Sequence, residues 1–237
     1  MTDVWQLWTY LSEGPLVWLT LTLMAYLAAD RLSLMANRAP LANPVLLAVI
    51  MLAVTLWATA TPYETYFEGA QFVHFLLGPA TVALAVPLHA NLGRVRRALV
   101  PMLAALLAGS TTAIAVALGV GFALGLELEP LLSLAPKSAT APVAMGVSER
   151  IGGAPALTAV MVLLTGVIGA IVATPLLNLL RIRDWRARGF AVGVAAHGIG
   201  TARAFQVNET AGAFSGIGMG LNAILTAVLA PLAASLF

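Results

Sequence analysis

The hydrophobic positions of this chain are gathered into long runs, and the charged positions into short stretches between them. Four apolar runs lie near 16–36, 44–61, 71–90 and 98–120. A Pro- and Gly-rich stretch follows at 130–154, then a run over 155–180, a polar-interrupted run over 189–206 and a last run over 211–237. About 20 apolar residues in a helix cross the hydrocarbon core of a bilayer. The pattern therefore predicts an all-α membrane protein of about seven to eight transmembrane segments. Linkers are short, so residues 1–237 read as a single polytopic membrane domain.

Charge placement orients these segments, because short cytoplasmic loops accumulate Lys and Arg. Arg31 and Arg38 mark the end of the first run and the loop after it, and Arg94, Arg96 and Arg97 follow the third, whereas Glu64, Glu68, Glu127 and Glu129 mark the alternate loops. This alternation puts the N-terminus outside. Arg181, Arg183, Arg186 and Arg188 then fall on the cytoplasmic side only if 130–154 dips in and returns to the same surface. Pro130, Pro136, Pro142, Gly152, Gly153 and Pro155 disfavour one continuous helix there, so a re-entrant hairpin is expected. Gly78-Pro79 and Pro87 break the third run as well. Paired broken segments suggest an inverted repeat with halves near 16–120 and 130–237 and a site near the midplane.

Composition agrees. Hydrophobic residues make up 60% of the chain and charged residues 9%, with a mean hydropathy of +0.94. A soluble domain carries about a quarter charged residues, so membrane lipid is the expected solvent. The net charge of +2 comes from loop arginines without an aromatic-interleaved basic stripe, which argues against a nucleic-acid partner. With no Cys, disulfides and thiolate metal sites are excluded. Asp3 and Glu13, with no base, precede the first run, so it reads as a retained helix and not as a cleavable signal. No GxSxG, P-loop or HExxH pattern is present, and neither an enzyme, a metal site nor a cofactor is expected.

The polar residues inside apolar stretches carry the candidate chemistry. Lys137 is the single lysine, in Pro136-Lys137-Ser138-Ala139-Thr140-Ala141-Pro142. A lysine at membrane depth is costly and marks a functional candidate; the alternatives are snorkelling or an ion pair with Glu149. Ser138 and Thr140 add hydroxyls beside it. His197-Gly198-Ile199-Gly200-Thr201-Ala202-Arg203 interrupts another run. Its Gly residues expose backbone, Thr201 offers a hydroxyl, and Arg203 can grip a carboxylate through two hydrogen bonds. His197 titrates near neutrality and, with Glu149, is a candidate proton carrier. Gly212, Gly216 and Gly220 suit close helix packing, and Asn222 could bond across helices. His74 and His89 read as interfacial, and Trp5, Trp8, Tyr10, Tyr63 and Tyr66 as aromatic-belt residues.

Three stretches together resemble the LrgB/CidB family: Leu76-Leu77-Gly78-Pro79-Ala80-Thr81 through Pro87-Leu88; Pro136-Lys137-Ser138 through Ile151-Gly152-Gly153; and His197 through Ala204, followed by Gly212-Ala213-Phe214-Ser215-Gly216 and Met219-Gly220-Leu221-Asn222. The resemblance runs from about residue 10 to the end. It implies a protein of the bacterial cytoplasmic (inner) membrane with one of two roles. The first is a carrier of small monocarboxylates such as glycolate, glycerate or pyruvate. The second is a holin-like or antiholin-like protein that modulates murein hydrolase activity and lysis with a small LrgA/CidA-type partner. Gly146 and Gln206 stand where acidic residues are common in the family, and Ala139 and Ala141 are smaller than usual. The buried cations favour the carrier, since a lesion-forming holin has no need of them. Substrate contacts are expected from Lys137, Ser138, Thr140, His197, Gly198, Gly200, Thr201, Arg203 and Asn222. A coupling proton or sodium ion and a homodimer complete the expectation.

Overall fold

A computed structural model describes residues 14–76, 79, 93, 96 and 98–237. The break around Gly78 and Pro87, most of the third apolar run, His89, Arg94, Arg97, Trp5, Trp8, Tyr10 and the side chain of His74 lie outside the described residues. Among the described residues all regular structure is helical, in two compact units that divide after Ala83.

The first unit contains α1 (Pro15–Met35), a 3-10 turn (Pro40–Ala42), α2 (Pro44–Ala58) and α3 (Tyr63–Phe75). Proline opens α1 and α2, where its missing N–H costs nothing, and the Asn43 side chain accepts hydrogen bonds from the Val45 and Leu46 amides to cap α2. Glu64 and Glu68, expected in a loop, lie on α3 instead. Tyr66 packs edge-on against the fully buried Trp18 of α1, with ring centroids 5.9 Å apart. Gly69 meets the Pro15 carbonyl and Trp18, so no side chain fits between α1 and α3 at that point. This packing holds as a helix a segment whose charge pattern alone reads as loop.

The second unit contains α4 (Leu99–Ala123), α5 (Leu128–Leu134), α6 (Ala141–Ile151), α7 (Pro155–Leu179), α8 (Trp185–Val207) and α9 (Glu209–Ala234). Helices α1, α4, α7 and α9 are long and apolar enough to cross a membrane; α2 is apolar but has 15 residues.

The chain folds back between α5 and α6. Ser133 on α5 accepts from the Ala154 amide and, through its carbonyl, from Thr158 Oγ1, which also pairs with the Ser148 hydroxyl at 2.7 Å. Helix α8 also folds back. Ala196 (φ −129°, ψ 16°) and His197 (φ 40°, ψ −134°) leave helical geometry. A Cβ on Gly200 would lie 2.9 Å from Val192 Cγ1, yet residues eight apart in a straight helix are about 12 Å apart. Trp185 and Val207, the two ends of α8, line one cavity. The break expected in the run 189–206 is therefore a full reversal, which makes the run a helical hairpin. The positive φ at His197 and the absence of Cβ at Gly198 and Gly200 permit the reversal.

The second unit thus repeats one motif, a hairpin followed by a long helix, over 128–179 and 185–234. The sequences echo each other: Thr140-Ala141, Val147-Ser148-Glu149 and Gly152 in one, Thr201-Ala202, Val207-Asn208-Glu209 and Gly212 in the other, with Pro175 and Pro231 late in the long helices. This repetition runs over 128–234, so it falls almost entirely within the second of the two expected halves. The hairpins enter from opposite ends. Phe190 and Val194 of α8 pack with Met102, Leu106 and Phe214 at the start of α4 and α9, whereas Leu131 and Val147 of the first hairpin pack with Leu118 and Ala230 near their far ends.

Candidate functional site

The two hairpin tips meet the long helices near their midpoints. Asn222, fully buried halfway along α9, donates through Nδ2 to the Ser138 carbonyl at 3.0 Å. Its Oδ1 accepts from Ser110 Oγ at 2.6 Å, halfway along α4, and from Thr226 at 3.4 Å. One amide therefore ties the first tip to two spans. Both ends of the Asn222 side chain are engaged with protein, so its geometry suits positioning of the tip. Leaving the buried Ser138 carbonyl and Ser110 hydroxyl without this partner costs about 1–3 kcal/mol. Asn222→Ala should lower unfolding stability in detergent by that amount, as an unfolding curve of the purified variant measures.

Lys137 adjoins that anchored tip and is half-buried. It lines a cavity of about 700 Å³ together with Ser138, Gly109, Phe190, Asp184 and Arg186. Among the described residues no ion pair joins Lys137 to Glu149, which lies exposed on α6. Thr140 precedes α6 with a partly buried side chain that caps nothing.

At the second tip His197 is buried, and its Nε2 lies 2.9 Å from the Val162 carbonyl. A carbonyl only accepts, so Nε2 carries the hydrogen in this arrangement. His197 sits against Gly166 in the middle of α7, where an added Cβ would lie 2.7 Å from Cε1. Thr201 donates to the His197 carbonyl at 2.7 Å and pairs with Ser215 at 2.9 Å. Gly200 is buried between the limbs and Gly198 is exposed.

Arg203 is placed elsewhere. It bonds Gln206 at 3.3 Å and lines a small cavity with Thr174, Trp185 and Arg188 near the base of the second hairpin. The structure groups Lys137, Ser138 and Asn222 at one tip and His197, Thr201 and Gly200 at the other, and does not bring Arg203 to Lys137. Among the described residues no cluster of His, Asp or Glu could hold a metal ion.

Several contributors escape a reading by residue type. Gly189 and Gly193, four apart on α8, press against the Ala211 and Ser215 carbonyls of α9, whereas Gly220 on α9 faces open space. The close-packing pattern is thus on the hairpin as well as on α9, and the spacing Gly189-x3-Gly193 was its signal. Arg188 is buried, donates to Asn178 and the Ile182 carbonyl, and stacks over Trp185 at 4.9 Å. At the exposed start of α8, the Arg186 side-chain hydrogen bond holds the Asp184 carboxyl below the usual carboxylate range. Asp184 also caps the Arg186 amide at 2.8 Å. That cap is present above the ordinary carboxylate pKa and is lost as pH falls through the lowered folded value. The protection factor of the Arg186 amide should fall only in that acidic window, and in Asp184→Ala it should be low throughout the pH range.

Comparison with known proteins bears directly on this arrangement. The LrgB-like family matches residues 22–236, a span that includes both hairpins. The chain belongs to the LrgB-like family. Among LrgB-like relatives, the uncharacterized protein YxaC of Bacillus subtilis is 37% identical over 92% of this chain and 94% of its own. YwbG of the same organism is 36% identical over 91% and 96%. The holin-like protein CidB of Staphylococcus aureus is 32% identical over 94% and 96%. No solved structure matches the chain.

Proposed function

We propose that this LrgB-like protein is a secondary carrier of small monocarboxylates, of the glycolate, glycerate or pyruvate kind, in the bacterial cytoplasmic membrane. The observation that carries the reading is Lys137: a half-buried cation at the tip of a broken helical segment, facing a cavity of about 700 Å³. A cation at membrane depth is expensive unless an anion or water meets it. Apolar walls with the Lys137 cation at the tip, the other charges being the Asp184–Arg186 ion pair, suit a small carboxylate.

In this reading both hairpins are re-entrant, one from each surface, so α4, α7 and α9 are the crossings of the second unit and the first unit supplies the others. The Arg181–Arg188 turn lies in the cytoplasm and the N-terminus outside. The substrate carboxylate meets Lys137, while Ser138 and Thr140 serve its hydroxyl or keto oxygen. Thr201, Gly198 and Gly200 shape the second tip. Arg203 lies at the cytoplasmic foot of the second hairpin, in a small cavity apart from that of Lys137, and has no substrate contact in this reading. His197 or Glu149 carries a coupling proton; sodium coupling is the alternative. The first unit offers a face for a homodimer, and a small LrgA/CidA-type membrane partner fits the family.

The name of the CidB relatives supports a second reading, a holin-like role in the control of lysis, as the resemblance also implies. Titration of purified protein with glycolate, glycerate and pyruvate separates the readings at the level of binding. The carrier reading expects saturable heat of binding for at least one of them and none for a neutral analogue such as glycolamide. No binding to any small carboxylate would leave the holin-like reading. For topology, a cysteine at Arg186 should be shielded from an impermeant reagent added outside cells, and one at Glu64 should react.

A further inference from the structure

We infer that a small anion crosses this protein along a winding ridge of α4, passing from one cavity to a second at a single point formed by Lys137 and Ala113. The inference rests on the carrier reading and specifies the route and its constriction.

Lys137 lines two cavities. The first, of about 700 Å³, runs along the N-terminal half of α4 past Pro101, Ala105 and Gly109 to Asp184 and Arg186. The second, of about 460 Å³, runs along the C-terminal half past Ala117 and Gly121 to Leu124 and Leu126. Their walls have just two residues in common among those described, Ala113 and Lys137. Helix α4 has 25 residues and is therefore about 37 Å long, enough to cross a bilayer.

The six α4 residues Pro101, Ala105, Gly109, Ala113, Ala117 and Gly121 recur every four positions, so they form one ridge that winds gradually around the helix, by about 40° per step, and each lines one cavity or both. Small side chains along this ridge leave volume that larger ones would fill. Ala113 falls near the middle of α4, and the cation there belongs to a hairpin tip anchored by Asn222 to Ser110 and α9. The two cavities therefore extend toward opposite ends of a membrane-length helix and share one positive charge between them. A passing anion meets Lys137 from either side, and the side chain at 113 sets the width available to it.

The chain has no native cysteine, so introduced thiols report single positions. Ala105→Cys, Ala113→Cys and Val120→Cys of the full chain are reconstituted in oriented proteoliposomes and treated with the anionic reagent sulfonatoethyl methanethiosulfonate from each side. The path predicts that Ala105→Cys reacts from the side of the Arg186 turn, Val120→Cys from the opposite side and Ala113→Cys from both. Saturating glycolate should slow the Ala113→Cys reaction about tenfold, and adding Lys137→Met should slow it by a similar factor. Ala113→Leu should reduce glycolate flux at least about tenfold without loss of folded protein. Reaction of all three thiols from one side, or an Ala113→Cys rate indifferent to both glycolate and Lys137→Met, overturns the path. Glycolate uptake by the unmodified chain with either of those labelling results overturns the path and leaves the carrier reading standing. The expected labelling pattern without any uptake supports an anion path and overturns the carrier reading.

Discussion

Replacing Lys137 by methionine will abolish saturable carboxylate uptake and weaken carboxylate binding by about 2–5 kcal/mol, roughly 30- to 5,000-fold. Methionine keeps most of the side-chain length and removes the charge. Because Lys137 adjoins a tip already held by Asn222, Ser110 and Thr226, the fold does not depend on its ammonium. The unfolding midpoint in detergent should therefore hold or rise, since an isolated cation at depth opposes folding. Calorimetric titration of the purified variant checks the first part and a thermal melt the second. Wild-type affinity in Lys137→Met removes the site from the first hairpin.

The largest stability effect is expected at Gly193. A Cβ there would run into the Ser215 carbonyl and lie 2.9 Å from the Met219 amide, both backbone of α9. Backbone cannot swing aside as a flexible side chain can, so Gly193→Val must separate the hairpin from α9. Overpacking a well-packed contact costs about 1–3 kcal/mol, and backbone displacement adds to it, giving about 3 kcal/mol or more. The second tip is carried on this hairpin, so Thr201 should also lose Ser215. The matching control is Gly220→Ala, which meets open space and should change stability by no more than about 0.5 kcal/mol. Equal stability of Gly193→Val and the parent would show that α8 and α9 are not packed in this way.

The membrane class and the long helices α1, α4, α7 and α9 were legible because run length is a direct consequence of bilayer thickness. The turn-back around Lys137 was legible from Pro136, Pro142 and the Gly152-Gly153 pair, which cannot sit in one regular helix. The reversal at His197 was half legible: Gly198 and Gly200 announced a break, yet a break and a reversal look alike in sequence. The direction is decided by Gly189 and Gly193 against α9, contacts more than 20 residues away. The grouping of the candidate residues was not legible. Asn222 finds Ser110 and the Ser138 carbonyl across separations of 112 and 84 residues, which no local pattern encodes. Arg203 illustrates the same limit. It lies six residues from His197, but the hairpin carries it down the return limb to the neighbourhood of Trp185 and Arg188.

The central claim, a carrier and not a lesion-forming protein, is tested most directly by one reconstitution. Purified protein is placed in liposomes loaded with a large fluorescent dye, and radiolabelled glycolate, glycerate or pyruvate is added outside. The account predicts saturable uptake of at least one of these acids, competed by the unlabelled acid, with the dye retained. Release of the dye, or uptake that rises linearly with concentration and resists competition, would contradict it.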